Sequence, residues 1–309
     1  MRDLAARVQA EVEKVVVGQG ELVEQLLAAA VVGGHVLLEG PPGTAKTLLA
    51  NALARALDVE FRRVQFTPDM LPSDLTGTTA LRGGDLVFRP GPVFTNILLA
   101  DEINRTPPKT QAALLEAMQE RQVSIDGETH PLEAPFLVLA TQNPIEYEGT
   151  YPLPEAQLDR FLFKLDLGYP PESDEIAILR LAHRGVSPPS LDSVRAVVRA
   201  EELEAAREAV DATAVSDEVA AFVVALVRKT RELPSVELGA SPRAAVHLLA
   251  AARALARLSG RDFVTPDDVV DAARPVLQHR LVLRPEAELE RYTAEDAVGA
   301  ALASVPVPR

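Results

Sequence analysis

The chain has 309 residues, enough for two domains with their own cores. With 47% hydrophobic and 25% charged residues it reads as folded rather than disordered. Its net charge of −14 argues against broad electrostatic binding to nucleic acid or to an anionic membrane. The absence of cysteine excludes disulfides, thiolate catalysis and thiolate zinc sites, and it suits a reducing, cytoplasmic setting.

Apolar recurrence at Leu4, Val8, Val12 and Val15 predicts an amphipathic helix over residues 2–16. A VGQGE loop follows, then a helix ELVEQLLAAAVV stopped by Gly33-Gly34. The longest apolar runs, Leu26 to Val32 and Ala220 to Val227, fall well short of the roughly 18 residues a membrane span needs, and the charged N-terminus has no apolar signal core. HVLLE, residues 35–39, is a short buried strand leading into GPPGTAKT and then a helix AKTLLANALARAL. VEFRRVQF is the next strand. An irregular stretch follows, with a hairpin turn at the GG between ALR and DLVF. NILLADEIN is a buried strand, KTQAALLEAMQE a helix, and RQVSIDGETHPLEA a hairpin about Asp126-Gly127. PFLVLATQN is another buried strand. Apolar strands alternating with helices imply a parallel sheet covered on both faces. Beyond the Pro-rich GYPPESDE the pattern turns helical, around 174–184, 201–211, 216–232, 242–258 and 266–280. The expected division is an α/β domain over residues 1–168 and a smaller helical domain over 169–309.

GPPGTAKT nearly fits G-x-x-x-x-G-K-[ST], with Ala45 in place of the second glycine. Backbone N–H groups of Gly40, Gly43 and their neighbours can form a nest for phosphate beside a helix N-terminus. Lys46 would reach the β- and γ-phosphates and Thr47 would bind Mg²⁺. Only five of the 31 basic residues are lysines, so a lysine here fits a site wanting a compact point charge. Alanine still donates its N–H, but nests alternate right- and left-handed residues, so Ala45 is expected at positive φ, at a cost of about 1–2 kcal/mol. Taken alone, the loop is equally a tight strand-to-helix turn.

ILLADE shifts the balance. Four apolar residues deliver Asp101 and Glu102 to the C-terminal edge of a buried strand, where ligands gather in open α/β sheets. Asp101 would hold Mg²⁺ and Glu102 would activate the attacking water; the rival is a solvated acidic turn. Asn143, at the tip of LVLATQNP, would hold the lytic water or the γ-phosphate from a neighbouring strand, although an Asn before Pro also simply makes turns. The histidines, His35, His130, His183, His247 and His279, show no metal-ligand spacing.

GPPGTAKT, LLADEINR, LEAMQE, LATQNP, LPEAQLDRF and GASPRA, in this order along nearly the whole chain, resemble the AAA+ ATPases and among them the MoxR branch. The resemblance implies an AAA+ P-loop core whose parallel sheet is sandwiched by helices, with the Asn143 strand between those of Gly40 and Asp101, and a helical lid. It implies ATP and Mg²⁺ as cofactors, with the nucleotide held by Gly40, Pro41, Pro42, Gly43, Thr44, Ala45, Lys46, Thr47 and Leu48. Arg160 matches the arginine finger that reaches a neighbouring subunit's γ-phosphate, against the rival of a surface arginine paired with Asp159 or Glu155. Arg243 matches the lid's sensor arginine. It falls in a helix first turn with Ser241 as cap and Pro242 at the first position, a poor place for a cation unless an anion is nearby; the rival is an ordinary exposed arginine. Val16 to Gln19 resembles the segment that packs on adenine, which adds Gly18 and Gln19, and is equally an ordinary loop.

By the same resemblance the chain would form a homo-oligomeric ring, usually a hexamer, and remodel or mature a protein client, the associated class being proteins with a von Willebrand factor A domain. The two hairpins resemble insertions that line a pore or touch a client, with Phe88 and Arg89 near a tip or Phe88 in the core. Two other readings stay open: a nucleic-acid-associated AAA+ motor, disfavoured by the acidic charge, and a nucleotide-binding scaffold without turnover, disfavoured by Glu102, Asn143 and Arg160 together.

Overall fold

The computed structural model describes residues 1–83, 85–142, 150–182 and 191–308. The chain forms two compact units: a sheet unit of Ala6–Leu153 with Leu165–Ala200, and a helical unit of Met1–Ala5, Pro154–Lys164 and Glu201–Arg309.

In chain order the elements are α1 (Arg2–Val12), α2 (Gly20–Val32), β1 (Val36–Glu39), α3 (Lys46–Ala56), β2 (Phe61–Gln65), α4 (Pro72–Thr76), β3 (Gly77–Arg82), β4 (Asp85–Pro90), β5 (Ile97–Asp101) and α5 (Pro108–Glu120). They continue with β6 (Gln122–Ile125), β7 (Glu128–Pro131), β8 (Leu137–Gln142), α6 (Glu155–Leu158), β9 (Phe163–Asp166) and α7 (Glu172–Ala182). The last are α8 (Ala200–Asp211), α9 (Asp217–Thr230), β10 (Val236–Leu238), α10 (Pro242–Leu258), α11 (Pro266–Leu277), β11 (Val282–Leu283), α12 (Pro285–Leu289) and α13 (Ala294–Ser304).

The main sheet has the order β2-β5-β8-β1-β9. Strands β2, β5, β8 and β1 pair in parallel: Val36 faces Leu139, Ile97 faces Leu137 and Gln65 faces Asp101. The strand that leads to Asn143 therefore lies between those leading to Gly40 and Asp101, as the family resemblance implies. β1, β5 and β8 carry apolar side chains on both faces because helices cover both, and Leu37, Leu38, Leu98, Leu99, Val138 and Leu139 are all buried. The alanines of α3, Ala50, Ala52, Ala54 and Ala56, let that helix approach the sheet closely.

Both hairpins form as expected. β3 pairs antiparallel with β4, and β6 with β7, the latter about Asp126 (φ 50) and Gly127 (φ 86), the two positive values that a type I′ turn requires. The hairpins dock on each other: Phe88 stacks on His130 at 3.9 Å between ring centroids, Phe94 packs edge-on to both, and Thr79 bonds Asp126. Phe88 is thus half-buried in a small aromatic cluster; the exposed apolar residues of this hairpin are Leu81, Leu86 and Val87.

Within the helical unit α10 and α11 pack together, with α9 and α13 against them. α11 starts with Thr265 and Asp268 as a capping box, and Arg261 binds both carboxylate oxygens of Asp268 at 2.6 Å. Sequence periodicity did not reveal β9, the β10–β11 ribbon, α12 or α13. Residues 154–164 join the helical unit, and residues 169–200 the sheet unit, through contacts with distant parts of the chain.

Candidate functional site

The loop between β1 and α3 has the backbone of a nest. Gly40 (φ 151) cannot be anything but glycine, because a Cβ there would lie 2.2 Å from the carbonyl oxygen of Leu167. Gly43 (φ 86) and Ala45 (φ 59, ψ 23) are both left-handed, the alternation that turns successive N–H groups to one side. Ala45 thus adopts the positive φ expected of it. Thr44 Oγ1 closes the loop by donating to the Pro41 carbonyl at 3.1 Å.

Lys46 opens α3, and its Nζ donates to the carbonyls of Gly40 at 2.6 Å and Pro41 at 3.0 Å. Burial pulls its ammonium below the usual lysine range, while Asp101 and Glu102 pull in the opposite direction. To engage a phosphate the ammonium would have to exchange these carbonyls for phosphate oxygens at the same helix N-terminus.

Across a cavity of about 520 Å³ stand the two carboxylates at the end of β5, and the cavity is also lined by Gly43, Lys46 and Thr47. That volume is in the range of small-molecule sites. Asp101 accepts from Thr141 Oγ1 at 2.6 Å and from Arg63, at 2.6 Å to Nη2 and 3.1 Å to Nε. Thr141 Oγ1 in turn accepts from the N–H of Glu102 at 2.8 Å. Glu102 is itself left-handed (φ 57, ψ 52), a conformation costing a non-glycine residue about 1–2 kcal/mol and found disproportionately at functional sites. Its carboxylate accepts from Gln65 Nε2 at 2.6 Å and Arg105 Nη1 at 2.9 Å. Both carboxylates are mostly shielded, with side chains 18% and 24% exposed.

The structure therefore brings Gly40, Pro42, Gly43, Thr44, Ala45, Lys46, Thr47, Leu48, Asp101 and Glu102 around one cavity. Pro41 contributes its carbonyl to Lys46 and Thr44. Gly18 (φ 75) packs on Asp174 of α7 and Gln19 is the N-cap of α2; neither is among the cavity's lining residues. Asn143 lies outside the described residues. Arg160, in the turn after α6, and the exposed Arg243, in the first turn of α10, belong to the helical unit. Ser241 caps α10 by accepting from Ala244 N–H at 3.3 Å, with Pro242 at its first position.

Comparison with known proteins identifies this arrangement. The family model of the ATPase family associated with various cellular activities (AAA) matches residues 35–163, and that of the AAA lid domain matches residues 228–300. The chain is 46% identical to Chaperone MoxR1 of Mycobacterium tuberculosis, covering 97% of this chain and 81% of that protein. It belongs to the MoxR-type AAA+ ATPases.

MoxR-type relatives cover its full length: Protein MoxR of Methylorubrum extorquens is 35% identical over 99% of this chain and 96% of its own. A crystal structure of a Cytophaga hutchinsonii protein described as a candidate ATPase superposes with a TM-score of 0.92 at 42% identity, covering 100% of this chain and 96% of that one. An MCM homologue from Methanopyrus kandleri, at 21% identity and a TM-score of 0.59, shares the fold alone. Sequence reasoning passed over five residues of this MoxR-type site: Arg63, Gln65, Arg105, Thr141 and Gln142. The signal for the first two is their i, i+2 spacing at the end of the strand FRRVQ, which places both on one face.

Proposed function

We propose that this MoxR-type AAA+ protein hydrolyses ATP to ADP and phosphate in a Mg²⁺-dependent reaction and uses the energy to remodel or mature a protein client. The observation that supports it most directly is the convergence of a left-handed phosphate nest, Lys46 and Thr47 with Asp101 and Glu102 around one cavity. The nest and Lys46 bind the β- and γ-phosphates. Thr47 and Asp101 offer a hydroxyl and a carboxylate, hard oxygen donors suited to Mg²⁺, which keeps several waters and shares substrate phosphates. When bound there, the ion neutralises charge on the phosphates.

Glu102, held by Gln65 and Arg105, accepts the proton of the attacking water, and Asn143 orients that water. Arg160 neutralises transition-state charge in a neighbouring subunit's site, and Arg243 contacts the nucleotide from the lid. Gly18 and Gln19 flank the adenine. This reading takes residues 1–168 as the ATP-binding core and 169–309 as the lid, and places the protein in the cytoplasm as a homo-oligomer, a hexameric ring. A protein with a von Willebrand factor A domain is the client class it favours. Among the described residues no helix is long and apolar enough to cross a membrane.

The test is phosphate release by wild type and Glu102→Gln across protein concentrations. The variant should bind ATP normally and lose turnover by about two or more decades, as expected for loss of a general base. Wild-type activity per subunit should rise with concentration if Arg160 acts in trans. Retained turnover in the variant would sink the role of Glu102.

A further inference from the structure

Gln278, His279 and Arg280 form a short 3-10 turn after α11. All three side chains bond the backbone of residues 159–164. Gln278 Nε2 donates to the Lys164 carbonyl at 2.9 Å, and His279 Nε2 meets the Phe161 carbonyl at 3.1 Å. Arg280, its side chain 1% exposed, donates through Nη2 to the carbonyls of Asp159 at 3.2 Å and Phe161 at 2.5 Å, and through Nη1 to that of Leu162 at 3.4 Å. Its Nε donates to the Asp159 carboxylate at 2.8 Å. The guanidinium also bonds the Val276 carbonyl of α11 and His247 Nδ1 of α10, which anchors it between those helices. The bonds to Asp159 and Phe161 bracket Arg160.

Burying a guanidinium is costly unless its partners are well arranged, and apolar packing alone often stabilises a turn as well. Phe161, Leu162 and Phe163 already supply such packing. What an arginine adds is a rigid planar fork that fixes the direction of the groups it binds. Asp159 is a shared node. Its carboxylate also accepts from Ser241 Oγ at 3.0 and 3.2 Å, and Ser241 caps the helix that carries Arg243. The anchor of the 159–164 turn is therefore also tied to the start of α10.

We infer that Arg280 is a positioning residue for Arg160: the Gln278–Arg280 turn clasps the backbone on both sides of residue 160 and sets the direction in which its guanidinium points. The inference rests on the reading of Arg160 as a finger acting on a neighbouring subunit. It assigns Arg280 no contact with nucleotide.

The test uses full-length chains and subunit mixing. Arg280→Lys keeps the charge and loses the fork. Alone it should lose turnover by about ten- to a hundredfold, the scale of a misaimed catalytic group, with assembly and binding of a fluorescent ATP analogue unchanged. Mixed with Glu102→Gln, whose own pocket is disabled but whose Arg160 is intact, it should regain activity well above the sum of the two parents. Arg160→Ala mixed with Glu102→Gln is the reference. If Arg160→Ala recovers and Arg280→Lys does not, the clasp is merely structural and the inference is overturned. If Arg160→Ala does not recover, the finger reading itself falls. Asp159→Asn keeps an acceptor for the Nε–H and serves if Arg280→Lys fails to assemble. The same recovery is expected of it; full activity on its own, or a loss that mixing does not restore, would overturn the inference.

Discussion

Asp101 shows how much of a site can be decided by residues that are not themselves part of a motif. Its two carboxylate oxygens are taken by Thr141 and Arg63, so a cation reaches Asp101 only in competition with the Arg63 guanidinium. The Arg63 side chain is 47% exposed, so the ion pair is a half-solvated one, contributing about 0.4–1 kcal/mol. Arg63→Gln should accordingly lower the Mg²⁺ concentration needed for half-maximal binding of a fluorescent ATP analogue by about two- to fivefold. An unchanged or raised midpoint would mean that the guanidinium assists the cation instead of competing with it. Ala45 teaches the complementary lesson. Its left-handed backbone was legible from the letter that breaks the phosphate-loop pattern, because the handedness of a nest is a local property. The partnership of Gln65 with Glu102 was not legible, because it depends on the β2–β5 register that sets Gln65 against Asp101.

His35, immediately before β1, ties three elements of the sheet unit together. Its Nδ1 accepts from the N–H of Val138 in β8 at 3.0 Å, and its Nε2 lies 3.1 Å from the Met118 carbonyl of α5. Those partners fix the neutral ring with the proton on Nε2, and a second proton on Nδ1 would face an N–H donor. Burial, with Arg121 adding to it, lowers the His35 pKa to about 4 from the usual 6.5. The unfolded chain therefore binds a proton that the folded one does not between about pH 6.5 and 4. Stability from this residue is full above that window and is lost as the pH falls through it. The loss between pH 7 and pH 5 amounts to about 2 kcal/mol. Denaturant unfolding followed from pH 7 to pH 5 should show it, and His35→Gln, less stable at pH 7, should show a slope smaller by that amount. Equal slopes would remove His35 from the account. Strands of this kind were legible as apolar runs, but β9 was not: in FLFKLDL the run is interrupted by Lys164 and Asp166, so no continuous apolar stretch marks it.

For the molecule as a whole, alternating strands and helices made the parallel sheet legible, while the strand order came only from the family resemblance. Which segments belong to which compact unit was hidden. Residues 154–164 are claimed for the helical unit by side chains about 120 positions later, a pairing no local pattern encodes. Net charge is the one global property read directly, and it supports a prediction about partners. At −14 the chain repels a polyanion at long range, and at physiological salt a Debye length of about 8 Å leaves only a local basic strip able to attract one. Lys46 is turned onto its own loop, while Arg63 and Arg105 are engaged with Asp101 and Glu102, so these cations in and beside the cavity do not form such a strip. Single- and double-stranded DNA should therefore leave ATP turnover unchanged across a salt series. The decisive contrary result is stimulation that falls steeply as salt rises, the signature of phosphate contacts releasing counterions, and it would replace a protein client with a nucleic acid.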